Sequence, residues 1–207
     1  MQINTDSVSK QIYSLIRQDI LSRKLKPGDK IDTRGIAEAN GVSVMPVRNA
    51  LQQLTTNGLV VNRERVGFFV RKYSVQEVKQ IIDVRKMFEL YCITNFFDRI
   101  DLGAAASLLD LLESTDNRAT LELLDSKIHK LLVYASENKF LIDEYEHMDA
   151  LFSIGIYGGK HVNTMAAKRE HIDILKAILA GDREAAGKHL FSHLERAQIE
   201  IIEVVEE

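Results

Sequence analysis

Asp125 and His129 stand four residues apart, so on a helix both project from one face, beside Leu121, Ile128 and Leu132. His171 falls in register with Ile174, Leu175 and Ile178, and His193 with Leu190, Leu194, Ala197 and Ile201. Each of these imidazoles therefore faces the apolar side of its own helix. Three inward imidazoles and one carboxylate from three helices are a chemically sensible ligand set for a divalent transition metal such as zinc, nickel or manganese; magnesium and calcium would want more oxygen. The competing reading is a set of separate core histidines, each satisfied by hydrogen bonds, and spacing alone leaves both open. Arg85 sits centrally on an apolar face with Ile81, Ile82, Cys92 and Phe96. A buried guanidinium needs an anion, either Glu89 one turn on or the carboxylate of a small ligand held at the metal. Tyr91, Tyr134 and Tyr157 are candidates to line such a pocket.

These residues need helices to hold them, and the second part of the chain supplies the periodicity. After Ser74 strand signals stop, and helices are expected at about Val75–Arg99, Leu102–Ser114, Arg118–Glu137, Lys139–Gly155, Asn163–Ala180 and Arg183–Val205. Asp101, Asp116-Asn117, Asn138, Gly158-Gly159 and Gly181-Asp182 mark the breaks. An all-α bundle, residues 75–207, is the expected second domain.

Residues 1–74 read differently. Val8, Ile12, Leu15, Ile16 and Leu21 put an apolar stripe on a helix from about Ser7 to Ser22, ending before the Pro27-Gly28 turn. Thr33 is the expected cap of a short helix that Gly41 ends. Val47, Ala50, Leu51 and Leu54 then recur at helical spacing, with Ser43 as N-cap, Pro46 in the tolerant first turn and Asn57-Gly58 as the stop, which gives a helix over Val44–Thr56. Two helices with so brief a link form a helix-turn-helix. The second exposes Val44, Met45, Arg48, Asn49 and Gln52, side chains suited to base edges and methyl groups in a major groove. Val60-Val61-Asn62 and Phe68-Phe69-Val70 flank Arg63, Glu64, Arg65 and Gly67, a hairpin with a basic tip that reads as a wing; Lys30-Ile31 is a candidate small strand beside it.

Charge follows the same division. Of 27 Lys and Arg and 30 Asp and Glu in the 207 residues, 12 and 6 precede Ser74, leaving 15 and 24 after it, so the parts carry +6 and −9. The basic part suits phosphate and the acidic part does not. No apolar run nears the roughly 20 residues of a membrane span, and the polar start MQINTDSVSK lacks a signal peptide's apolar core, so a cytoplasmic location is expected. The single Cys92, among Phe88, Ile93 and Phe96, suits a small buried residue better than a reactive thiol.

Across LKPGDKI, IAEANGVSVMPVRNALQQLTTNGLV and RVGFFV, the first part resembles the winged-helix domain of GntR-family bacterial transcription regulators. That resemblance implies that Arg34, Val44, Met45 and Arg48 face bases or nearby phosphates, that Ser43 approaches phosphate, and that Gly67 lies at the wing tip in the minor groove. Val44 departs from the family's frequent Arg, so a thymine-methyl contact is the natural substitute for a guanine contact. The stretches DSKIHKLLVYASENKFL and REHIDILKAILAGDREAAGKHLFSHL resemble the effector-binding FCD domain of the FadR subfamily, and six helices rather than seven look closest to its VanR-like branch. The resemblance makes Asp125, His129, His171 and His193 the metal ligands and favours Arg85 as an effector contact. Ile128 replaces the pattern's usual aromatic, a packing change that removes no ligand. His147, His161 and His189 match no ligand position and read as surface or boundary residues.

The expected fold is thus an α+β winged helix-turn-helix followed by an all-α antiparallel bundle. The expected function is a homodimeric transcriptional regulator, a repressor by preference, whose affinity for double-stranded operator DNA is set by a small carboxylate bound at the metal. Alternatives are a metalloenzyme with an appended DNA-binding module, or an architectural DNA binder with a structural bundle. Against the first stands the lack of a nucleophile motif, phosphate loop or second carboxylate at a telling spacing.

Overall fold

The computed structural model describes residues 5–152 and 164–206. The chain divides into two compact units, Met1–Tyr73 and Ser74–Glu207. The predicted break at Gly158-Gly159, together with Tyr157 and His161, lies outside the described residues.

In the first unit the helices are α1 (Thr5–Leu21), α2 (Thr33–Ala39) and α3 (Val44–Thr56), followed by β1 (Val60–Arg63) and β2 (Gly67–Val70). Ile12 and Ile16 of α1 pack with Val47, Ala50, Leu51 and Leu54 of α3, all nearly solvent-free. The cap of α2 is Asp32 rather than the expected Thr33: its carboxylate accepts from the N–H groups of Arg34 (3.1 Å) and Gly35 (3.0 Å). A carboxylate accepts two orphan donors at once and also complements the helix dipole, which a threonine hydroxyl does less well. Ser43 occupies the N-cap of α3 in extended conformation, but its side chain makes no capping bond. Gly58, at φ 80°, turns the chain out of α3, and Tyr73 Oη donates to its carbonyl at 2.5 Å.

The strands pair antiparallel with Val60 opposite Val70 and Arg63 opposite Gly67. Lys30 bridges to Phe69 as the expected third segment, and Ile31 N–H donates to the Phe68 carbonyl at 2.8 Å. Arg65 (φ 59°) and Gly67 (φ 125°) carry the turn between strands. At Gly67 any side chain would be strained.

The second unit contains, among the described residues, α4 (Val75–Asn95), a 3₁₀ turn (Phe97–Arg99), α5 (Leu102–Glu113), α6 (Arg118–Tyr134), α7 (Lys139–Phe152), α8 (Thr164–Leu179) and α9 (Arg183–Glu206). Ser74 and Glu77 form a reciprocal capping box on α4, and Asp101 and Asn117 cap α5 and α6. Two expected helices end early. The first breaks at Asn95 and tightens into the 3₁₀ turn, which buries both Phe97 and Ile100. The third stops at Tyr134 because the chain leaves the helix through Glu137 at φ 51°. Ile128, Leu132, Ile174, Leu175, Leu190 and Leu194 form one core, so the faces of α6, α8 and α9 that carry the polar cluster converge. Within this unit α4 packs along α9, and α6 packs on α4, α7 and α8. No described helix is long and apolar enough to cross a membrane.

Candidate functional site

Side chains from three helices meet in the core of the second unit. Asp125 and His129 of α6, His171 of α8 and His193 of α9 are all buried, and one ligand atom from each lies within 4.8 Å of the others. The His171 and His193 ring centroids are 4.4 Å apart, and each is 5.2 Å from that of His129. His171 Nε2 stands 3.3 Å from His129 Nε2 and 3.4 Å from Asp125 Oδ1. Two lone-pair nitrogens at that separation repel unless a proton or a cation lies between them. Ligands each about 2.1 Å from one zinc ion are about 3.0–3.4 Å apart, so the spacing suits either.

The donor chemistry favours the cation. Asp125 Oδ2 is buried and has no hydrogen-bond partner among the described residues, with Arg85 Nη2 3.9 Å away. A buried carboxylate oxygen left so is costly. Metal ligands must be neutral imidazoles and ionised carboxylates. Burial, reinforced by the neighbouring His193, holds His171 well below the usual histidine range, and burial also lowers His193 against the pull of Glu170. Burial would raise Asp125, but His129, His171 and Arg85 keep it ionised. His129 is raised despite burial by Glu89 and Asp125, which is where a proton sits if no metal does. The residues present fit a divalent transition metal.

Each of two imidazoles is also held from behind. His129 Nδ1 lies 2.6 Å from Glu89 Oε2, and His193 Nδ1 lies 2.7 Å from Glu170 Oε2, which directs both Nε2 atoms forward. Glu89 is wholly buried and accepts further bonds from Arg85 Nε (2.7 Å) and Tyr145 Oη (2.6 Å). Burial alone would raise its pKa; His129 and Arg85 bring it down to about 2. Arg85 therefore has the internal partner Glu89. It also lines a cavity with Asp125, His171, His193, Lys168 and Arg196. Counting its open mouth and the solvent in it, the void is about 600 Å³.

Tyr91 and Tyr134 do not line this cavity. Tyr91 is half exposed and packs edge-on against Phe96, and Tyr134 bonds Glu146 at the surface. The tyrosine that reaches the site is Tyr145, whose place in the stripe Leu141, Ile142, Met148 and Phe152 marks it as inward-facing. Glu170 and Arg196 were also missed; their signals are adjacency to His171 and a position one turn beyond His193. His147 and His189 are exposed. Cys92 is buried, and burial with Glu89 nearby pushes its thiol up to about 11.

The first unit presents a second candidate surface. Arg34, Ser43, Val44, Met45 and Arg48 are exposed, as are Asn49 and Gln52, while Val47, Ala50, Leu51 and Leu54 of the same helix are buried. Gly67 opens β2 directly after the exposed loop Glu64, Arg65 and Val66, and Arg63 stacks back on Phe69 at 4.3 Å.

Comparison with known proteins finds similarity across both units. Residues 8–70 match the model of bacterial regulatory proteins of the gntR family, and residues 80–196 match the FCD domain. The chain is 25% identical to the HTH-type transcriptional repressor RspR of Escherichia coli (strain K12), over 100% of this chain and 94% of that one. A GntR transcriptional regulator structure from Rhodococcus sp. RHA1 superposes with a TM-score of 0.80 at 22% identity, covering 95% of this chain and 98% of that one, a likeness of fold. The Zn2+-bound FCD domain of TM0439 matches with a TM-score of 0.58 at 26% identity, over 63% of this chain and 94% of that domain. The chain belongs to the gntR family of bacterial regulatory proteins and carries its FCD domain: it is a transcriptional regulator, not an enzyme.

Proposed function

We propose that this regulator is a cytoplasmic repressor whose hold on operator DNA is controlled by a small organic acid bound at a metal in the helical domain. The observation that carries this reading is the buried cluster of four converging donors, one with an unpartnered oxygen, at the wall of an open cavity. Asp125, His129, His171 and His193 hold the ion, with zinc supported by the FCD domain of TM0439 and nickel or manganese sharing the same ligand chemistry. When bound, the metal supplies a Lewis-acid anchor for a carboxylate. Arg85 orients that carboxylate with the guanidinium nitrogens that Glu89 does not engage, and the apolar side chains Leu112, Leu121 and Ile201 keep water from its carbon skeleton.

In the first domain, residues 1–74, Arg48 and Arg34 supply guanidinium donors to bases or phosphates, Met45 and Val44 apolar contact to thymine methyls, and Ser43 a hydroxyl not spent on its own helix. Gly67 lets the wing backbone approach the minor groove. One such helix reads too few bases, so two copies, joined through their helical domains, residues 75–207, bind an inverted repeat with half-sites one helical turn or less apart. The repressor sense is supported by the relative RspR.

Elemental analysis with native mass spectrometry of freshly purified protein tests the reading. A dimer with one transition-metal ion per chain is expected, and none in His171→Ala. A metal-free wild type that takes up no zinc, or a His171→Ala variant that binds it as tightly, would overturn it.

A further inference from the structure

Two arms of the site share one wiring. In the first, Glu89 takes the imidazole of His129 on one oxygen and the guanidinium of Arg85 on the other. In the second, Glu170 receives His193 Nδ1 at 2.7 Å and grips Arg196 with both oxygens, from Nε at 2.5 Å and from Nη2 at 2.7 Å. Arg85 and Arg196 line the same cavity. Each carboxylate thus fixes one metal-facing imidazole and one cavity-facing arginine together. The arms differ in exposure: the side chains of Glu89 and Arg85 are 0% and 4% exposed, those of Glu170 and Arg196 26% and 24%. Arg196 Nη1 also meets Glu200 Oε1 at 2.6 Å, and Glu200 lines the cavity too. The second arm is therefore the more open of the two, and its Nη1, buried and without a hydrogen bond of good geometry to Glu200, is a donor that a ligand's carboxylate can take, whereas the first arm is sealed.

We propose that Glu170 is a positioning residue for His193 and Arg196, that Arg196 is a second effector-binding arginine, and that the effector is a small acid with two carboxylates. The inner carboxylate lies at Arg85. The outer one replaces Glu200 on Arg196, whose planar fork suits a carboxylate in two-point contact. An acid with a single carboxylate leaves Arg196 on Glu200 and gains nothing from the second arm. The inference rests on the metal-site reading above.

The test uses full-length, zinc-loaded protein and two probes of equal chain length, succinate and butyrate. By calorimetric titration succinate should bind at least about tenfold more tightly, the equivalent of one charge-assisted contact. Arg196→Gln should abolish the preference, weakening succinate at least about tenfold more than it weakens butyrate; Arg196→Lys, which keeps the charge without the fork, should lose most of the preference. Equal affinities in the wild type, no binding of either acid, or an equal loss of both in Arg196→Gln would overturn the proposal. For Glu170, chelator competition should show zinc held about 10- to 100-fold more weakly in Glu170→Gln. In the wild type, nitrogen NMR should place the His193 proton on Nδ1, a reading that needs no variant. A proton on Nε2, or unchanged zinc affinity in a folded Glu170→Gln, contradicts the positioning role. Failure to bind zinc at all, or zinc retained undiminished by His171→Ala, strikes the metal site itself and is separable from these outcomes.

Discussion

In α3 the apolar stripe Val47, Ala50, Leu51 and Leu54 is buried while Arg48, Asn49 and Gln52 stand off it in solvent; in α6 the polar Asp125 and His129 lie inside the stripe, buried between Leu121, Ile128 and Leu132. Both helices obey the same 3.6-residue period. The difference lies in where the polar groups fall within it. A polar side chain off the stripe costs nothing to leave in water and is available to a large external partner. Within the stripe it must be satisfied by hydrogen bonds, charge or metal, so its neighbours are committed to it and only something small can reach it.

The comparison can be broken first at the buried end. Arg85→Ala strands Glu89 without its guanidinium, and breaking a buried pair from one side costs about 3–5 kcal/mol. Denaturant unfolding of chelator-treated protein should show that loss in the transition of the helical unit alone. The double variant Arg85→Met with Glu89→Gln, which removes the stranded charge and keeps an acceptor for His129 or Tyr145, should recover part of it; a cost as large as that of the single change would mean that the pair, rather than the stranded charge, supplies the stability.

At the exposed end, Arg48→Ala should leave helicity and unfolding unchanged and weaken specific operator binding by about 1–3 kcal/mol in each half-site. Unaltered affinity would remove α3 from the groove. A smaller effect belongs to the helix that precedes it: Asp32→Ala, which frees the N–H groups of Arg34 and Gly35, should cost the first unit about 1 kcal/mol. Equal stability there would show that water caps α2 as well as the carboxylate does.

These contrasts also mark what could be read from the chain. Periodicity located α3, the hairpin and the helices that carry the cluster, because an apolar stripe is a local pattern. It placed Asp125 with His129, since both lie on one helix, and it aimed His171 and His193 inward without saying what they would meet. The carboxylate and arginine behind His193 are less legible. Glu170 and Arg196 look like surface residues in sequence, and only the packing of α8 against α9 joins them to His193. Of the tyrosines, Tyr145 lies on an inward-facing stripe and is buried, whereas Tyr91 and Tyr134 face solvent. At α2 the sequence favours Thr33 as cap and the structure uses Asp32, because adjacent residues compete for one capping position and the side chain that accepts two N–H groups prevails.

The central claim is that the buried cluster governs the exposed helix. If a metal held by Asp125, His129, His171 and His193 anchors the effector, binding at that site must change operator affinity by the same factor that operator binding changes effector affinity. The direct measurement is titration of operator DNA with wild type and His171→Ala, each with and without zinc and succinate. In the wild type, zinc with succinate should shift operator affinity by about 5- to 150-fold, a coupling of about 1–3 kcal/mol, and in His171→Ala the shift should vanish while DNA binding itself persists. An undiminished shift in a His171→Ala variant shown to be metal-free would contradict the account.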